Sequence, residues 1–337
     1  MRPLLLHGHT RPITCVTYNQ DGDLLFTAAK DKVPSVWHTS NGERLGTFSG
    51  HTGSVYYLDV NRNSTLLLSA SADTTVRIWN VETGDQLSQF ELQSAARCCK
   101  WSIGGRQVLA VQDNAMKQQT GVYIYNIDES LRTLNRYEKK NQNTDAVQFL
   151  TNDTIVGKLS RALWADVNRQ VITSGDDGKL RRWDVETGKE IQSLLVSPSA
   201  INNLTLSPDR TMIITSNADH TARIYDTRTF ELKKEFKSDR PINGAAISPI
   251  APLVLMGGGQ QAIHVTTSAA QSGKFETFYY HLIYEELLGS TKGHFGPIND
   301  LVMSPDGKGF ASGGEDSYVR LHYFDEEFLN YCSNLDK

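Results

Sequence analysis

The side chains best suited to chemistry come in sets. His9, Thr27 and Asp31 form one, His51, Ser69 and Asp73 a second, and His294, Ser312 and Asp316 a third. Hydroxyl, imidazole and carboxylate together are the makings of a nucleophilic hydrolase, in which histidine takes the hydroxyl proton and the carboxylate orients the histidine. An active site needs one such set, and these recur. In each, histidine precedes aspartate by 22 residues and the hydroxyl precedes it by four. No Gly-x-Ser-x-Gly elbow surrounds the serines. In the first two sets a tryptophan, Trp37 or Trp79, follows the aspartate by six residues. An indole can only donate, so it needs an acceptor such as the hydroxyl, which can pass a bond to histidine and so to the carboxylate. The recurrence fits a satisfied buried network tying a turn to a strand. No catalytic residue is assigned.

Other candidates are weaker. Gly257-Gly-Gly259 lacks the Gly-Lys-Ser/Thr ending of a phosphate loop and reads as a tight strand turn. His281 with Glu285 and Glu286 lacks His-Glu-x-x-His spacing and a third ligand, and reads as a solvated stretch. Lys139-Lys140 and Lys233-Lys234 read as solvated surface. The four cysteines, Cys15, Cys98, Cys99 and Cys332, have no metal-ligand spacing. They read as free thiols in a reducing compartment, with Cys98-Cys99 packed in the first strand of the third repeat unit. No cofactor or metal is expected.

The elements that position these sets are short strands. Unit two reads as Val55–Val60, Leu66–Ala70, Val76–Trp79 and Gln86–Phe90, separated by Asn61–Ser64, Ala72–Thr74 and Glu82–Gly84. The six-residue step recurs from Asp177 to Trp183 and from Asp219 to Tyr225, with Thr173 and Thr215 as hydroxyls. A four-stranded unit of roughly 40–45 residues, with Gly-His at its start and Trp near its end, carries the WD-repeat signature. The third-strand markers are Trp37, Trp79, Tyr125, Trp183, Tyr225, Thr266 and His322, which makes seven units. Only Trp183-Asp184 is a literal Trp-Asp pair. The fold expected is all-β: one seven-bladed WD-repeat β-propeller over residues 1–324, four antiparallel strands per blade, with a C-terminal tail at 325–337. Unit seven runs out after Phe324, so Pro3–His7 is expected to supply its outer strand and close the ring. Ile127–Lys158 and Thr267–Lys292 read as long polar connectors.

Bulk numbers agree with an intracellular, cytoplasmic interaction protein. The formal net charge is −4, from 34 Lys+Arg and 38 Asp+Glu, without the basic surplus usual in nucleic-acid domains. No apolar run approaches a membrane span of roughly 18 residues, and the apolar stretch at Leu4–Leu6 is too short for a signal peptide.

Beyond the repeat, the sequence resembles subunit i of eukaryotic translation initiation factor 3 over essentially its whole length. The resemblance is carried by Gly42-Glu-Arg-Leu-Gly46, Gly50-His-Thr-Gly53, Gly257-Gly-Gly-Gln260 and Gly273-Lys-Phe-Glu276, and by His281 to Glu286. Gly293-His-Phe-Gly-Pro297, Ser312-Gly-Gly-Glu315 and Val319-Arg-Leu-His322 complete it. His322 in place of Trp, and the missing Asp turn in unit six, fit that family's pattern. Thr277-Phe-Tyr279 departs from it, where relatives read Ala-Arg-Phe. The resemblance implies a non-catalytic scaffold that binds subunits b and g, reaches the small ribosomal subunit through the complex, and supports scanning. The alternative from the repeat alone is an adaptor propeller in signalling or ubiquitin ligation, marked by basic residues around the central channel.

The expected protein-binding residues are Asp209, Ile224 and Asp226. Asp209 falls in the first turn of unit five and Asp226 ends its third strand, so both emerge on one face. Ile224 lies two residues before Asp226 and shares its side of the strand. Turn chemistry alone also explains the two aspartates. The resemblance adds that the matching positions in related subunits face a helix of subunit b.

Overall fold

The structure, a computed structural model, describes residues 3–114, 119–127, 148–150, 157–259 and 275–334. Seven four-stranded antiparallel sheets are formed. The first strand of each packs against the first strand of the next, through all seven, so the sheets are blades of a closed ring. Strands are lettered a to d from the axis outward.

Blade two shows the pattern with strands Val55–Val60, Leu66–Ser71, Thr75–Asn80 and Gln86–Glu91. These agree with the sequence expectation to within a residue or two. Blades pack face to face, so inner strands are covered on both sides and lose the alternation of a half-exposed sheet. Leu66–Ser71 is buried throughout, and so is Gly309–Gly314, strand b of blade seven. Outer strands face solvent: Glu190–Leu195 in blade four alternates between half-buried and exposed.

All seven blades break register at the same point of the a–b pairing. The skipped residues are Thr14, Tyr56, Arg97, Ser160, Asn202, Asn243 and Asn299. A bulge turns one side chain out of the ladder. In five blades that side chain donates to a backbone carbonyl of the next: Thr14 to Val55, Ser160 to Ile201, Asn202 to Ile242, Asn243 to Ile298 and Asn299 to Ile13. Blades two and three use another contact, with the Arg97 guanidinium 4.5 Å from the Tyr56 ring centre. The bulges thus form a belt of bonds between blades.

The N-terminus closes the ring as expected. Leu4–Leu6 pairs antiparallel with strand c of blade seven, Leu4 opposite Leu321 and Leu6 opposite Val319. Leu6 is buried. Beyond blade seven a helix, Glu326–Asn334, sets Phe328, Leu329 and the buried Cys332 against an apolar cluster of blades six and seven.

Blade six and the connectors correct the sequence reading. Strand c is Phe275–His281, inside the segment read as a connector, and strand d is Leu287–His294, most of it inside that segment. The residue opposite Val254, where the other blades place their marker opposite strand b, is Tyr280 and not Thr266. The long b–c connection, residues 260–274, defeats a fixed six-residue count; all of it, Gln260 and Thr266 included, lies outside the described residues, as does most of 127–158. Gln148–Leu150 within the latter is strand d of blade three. His281 is no solvated residue: it is fully buried at the end of strand c, its Nδ1 accepting the Tyr284 N–H at 3.2 Å.

Candidate functional site

The recurring sets are hydrogen-bonded as their chemistry requires. In blade two the Trp79 indole N–H donates to Ser69 Oγ at 2.7 Å, Ser69 lies 2.6 Å from His51 Nε2, and His51 Nδ1 lies 2.8 Å from Asp73. Blade one repeats this with Trp37, Thr27, His9 and Asp31 at 2.8, 2.7 and 2.8 Å. In blade seven His294 spans Ser312 and Asp316 at 2.8 and 3.0 Å. Every one of these hydroxyls is fully buried, so no substrate reaches it. Burial alone would raise the Asp73 pKa. Hydrogen bonds from His51, Thr75 and the Thr52 N–H outweigh it and hold the carboxyl well below the usual carboxylate range. Burial also lowers His51. A neutral ring that donates from Nδ1 and accepts at Nε2 satisfies the whole chain.

Sequence reasoning missed a fifth member. Arg77, Arg181, Arg223 and Arg320 each sit four residues after the network aspartate and pair with it. The signal was in the sequence as one more fixed step. In blade five Ser197 stands 22 residues before Asp219, at the histidine position, and donates to it at 2.9 Å. Hydroxyl and arginine together replace the imidazole there.

Strand a side chains fill the axis. Arg161 Nε donates to Asn203 Oδ1 at 3.1 Å, Asn203 Nδ2 donates to Asp300 at 2.9 Å, and Asp300 accepts the Val16 N–H at 2.9 Å. The Arg161 guanidinium lies 4.9 Å from the Tyr57 ring centre, and Lys100 Nζ lies 5.0 Å from the same ring. The channel is therefore plugged midway and has two separate mouths. Cys15, Cys98 and Cys99 are buried around the plug, and burial pushes all three thiols up, away from the reactive thiolate. At the mouth bearing the b–c turns, three cations are offset by acids: Lys30 by Glu315, and Arg97 and Lys158 by Asp113. Among the described residues these three form no unopposed basic ring of the kind that marks the adaptor alternative.

The opposite face bears the a–b and c–d turns. Asp209 and Asp226 both lie there, in adjacent turns joined by the Thr227 N–H to Thr211 carbonyl bond of 2.8 Å. Asp209 accepts from Ser207 and Thr211, and Asp226 accepts the Arg228 and Thr229 N–H groups at 2.8 and 2.9 Å. These bonds lower both carboxyls. Ile224 departs from the expected exposed contact. It is fully buried in the core between blades five and six, because the shared side of the strand faces the neighbouring blade and not solvent. The exposed apolar side chains nearby in the fold are Leu232, Ile250, Ile283 and Tyr284, from blade five's outer strand and the turns of blade six. Lys234 fixes that arrangement by donating to the Ile283 carbonyl and pairing with Glu285 at 3.1 Å. Among the described residues no cluster of His, Cys, Asp and Glu could hold a metal, and no helix is long and apolar enough to cross a membrane.

The pattern of the EIF3I family matches residues 1–334. Eukaryotic translation initiation factor 3 subunit I of Bombyx mori is 42% identical over 340 residues, covering the whole of both chains. The same subunit of Nematostella vectensis is 41% identical over 97% of this chain and 98% of its own. That of Homo sapiens is 40% identical over 98% and 99%. The chain therefore belongs to the eukaryotic translation initiation factor 3 subunit I family.

Proposed function

We propose that the chain is a cytoplasmic scaffold that binds subunits b and g of initiation factor 3. In this reading it supports pre-initiation complex assembly and mRNA scanning, and it reaches the small ribosomal subunit through the complex without binding nucleic acid itself. Family membership makes it a non-catalytic subunit of that factor, with a role in translation initiation. The observation that supports the partner site is the juxtaposition on blades five and six of two exposed-turn carboxylates, Asp209 and Asp226, with Leu232, Ile250, Ile283 and Tyr284. An amphipathic helix of subunit b with aromatic and basic residues suits it, anchors supplying affinity and charges supplying register. Ile224 supports the surface from beneath.

Affinity purification of the tagged chain tests the assignment. Copurification of subunits b and g with small ribosomal subunits is expected, and their absence beside signalling or ubiquitin-ligase partners would favour the adaptor. Titration of a C-terminal subunit b peptide tests the site. Asp226→Lys should weaken it by at least about 1.4 kcal/mol, tenfold in affinity, with an unchanged melt. Equal affinities remove the site.

A further inference from the structure

The a–b turns of four successive blades each carry one arginine: Arg62, Arg106, Arg169 and Arg210 in blades two to five. None is ion-paired with another described residue. The same turns in blades one, six and seven carry no arginine; blade one's holds Asp21 and Asp23, and blade seven's Asp306 with Lys308. Two acids interrupt the arginine arc. Asp166 is exposed, and Asp209 is already engaged by Ser207 and Thr211.

Inside this arc lies the second mouth of the axial channel, a cavity of about 570 Å³ floored by Tyr57. Trp101, Trp164, Leu163 and Leu206 form part of its wall, and Arg62 and Arg210 stand on its rim. The deeper charges are neutralised, with Lys100 Nζ 2.8 Å from Asp59. Trp164 Nε1 donates to the Lys100 carbonyl at 3.3 Å. The Trp101 indole N–H is buried without a hydrogen-bond partner, a state proteins rarely leave a donor in. The mouth thus combines a partly apolar wall with a rim of guanidinium groups that pair with no described acid.

We propose that this mouth is a docking site for an acidic peptide segment that inserts an apolar side chain between Trp164 and Leu206 and sets its carboxylates against Arg62 and Arg210. Charge complementarity selects the occupant. Guanidinium forks match carboxylates, and the Trp164, Leu163 and Leu206 side of the cavity has room for a leucine- or phenylalanine-sized group. The site is distinct from the acidic patch of Asp209 and Asp226, which calls for a basic partner. The two leave this face of the ring electrically divided.

The test is fluorescence anisotropy with the full chain. The probe is a fluorescein-labelled nine-residue peptide in which leucine and phenylalanine lie between aspartates and glutamates. Two comparison probes are the same peptide with lysines for its acids and a labelled nine-nucleotide uridine oligonucleotide. The acidic peptide should bind, should weaken at least tenfold in the double variant Arg62→Glu, Arg210→Glu, and should be unchanged within twofold in Asp226→Lys. Melting curves accompany each titration, and Arg62→Gln with Arg210→Gln replaces the reversal if that variant unfolds. Failure to bind, equal binding by the double variant, or tighter binding of the lysine peptide overturns the proposal. Preferential capture of the oligonucleotide, lost in the double variant, would make the arc a nucleic-acid surface instead.

Discussion

Blade two and blade seven carry the same network in two different settings. Blade two is one continuous stretch, Val55 to Glu91, and Trp79 seals its network through the indole bond to Ser69. Blade seven is assembled from both chain ends, and His322 stands in the tryptophan's place. Its ring lies flat on Phe310, centres 4.5 Å apart and planes 8° apart. Phe310, Tyr279, Phe324 and Phe328 form a connected aromatic group beside it, Phe324 just before the C-terminal helix and Phe328 within it. The arginines also differ. Arg77 Nη2 lies 3.5 Å from Asp73, whereas Arg320 Nη1 lies 2.9 Å from Asp316 and 2.6 Å from His294 Nδ1. What one blade secures with an indole, the other secures with stacked rings and a shared guanidinium. The repeated position needs a flat ring more than it needs a donor.

The largest expected effect comes from removing what makes blade seven composite. Deleting residues 1–6 removes the Leu4–Leu6 strand, the buried Leu6 and three paired positions. The loss is on the order of 5 kcal/mol, and it leaves an unprotected sheet edge. Differential scanning calorimetry should show the melt falling by roughly 10 °C. An unchanged melt would mean that blade seven holds without its first strand and is no more fragile than blade two.

Next comes the carboxylate itself, truncated in both blades. Asp73→Ala deprives His51, Thr75 and the Thr52 N–H of an acceptor, at a cost of about 1–3 kcal/mol. Asp316→Ala also strands the Arg320 guanidinium, whose side chain is 5% exposed against 12% for Arg77. Removing one partner of a buried pair costs more, about 3–5 kcal/mol. Urea denaturation should therefore find Asp316→Ala the more damaging of the two. The reverse order, or equality, would show that Arg320 does not depend on Asp316.

Where the sequence was read correctly, the information was local and periodic. The 22-residue and six-residue steps sit within single blades, and each reappears as a hydrogen bond or a register position. Blade six escaped because the segment between its second and third strands is long, which pushed the marker from Thr266 to Tyr280. Ile224 was assigned the right side of its strand but the wrong surroundings. Alternation says which residues share a side, and only the assembled ring says that this side is covered by the next blade. The arginine four residues after Asp73, Asp177, Asp219 and Asp316 was legible and overlooked. The axial chain of Arg161, Asn203 and Asp300 was not legible, because it joins residues from three blades, each the one that follows the bulge.

The smallest of these effects isolates the substituted ring. Burial, with the nearby charges of His294 and Arg320, depresses His322 to about 4, against about 6.5 for a free histidine. The folded state therefore holds this ring neutral, while the unfolded chain begins to bind its proton near pH 6.5. The contribution is fully present above that value and is lost as pH falls toward 4. Between pH 7.5 and pH 5 the loss through this one group is about 2 kcal/mol. Phenylalanine keeps the stack on Phe310 and cannot titrate. His322 Nδ1 is buried without a partner, so His322→Phe should leave stability at pH 7.5 within about 0.5 kcal/mol. Urea denaturation at pH 7.5 and 5 should show a shallower decline for the variant than for the unsubstituted chain. The decline should not vanish, because burial also lowers His51 and His294. If both chains decline equally, His322 is not the titrating group, and blade seven's acid sensitivity lies in His294 and its carboxylate, as it does in blade two.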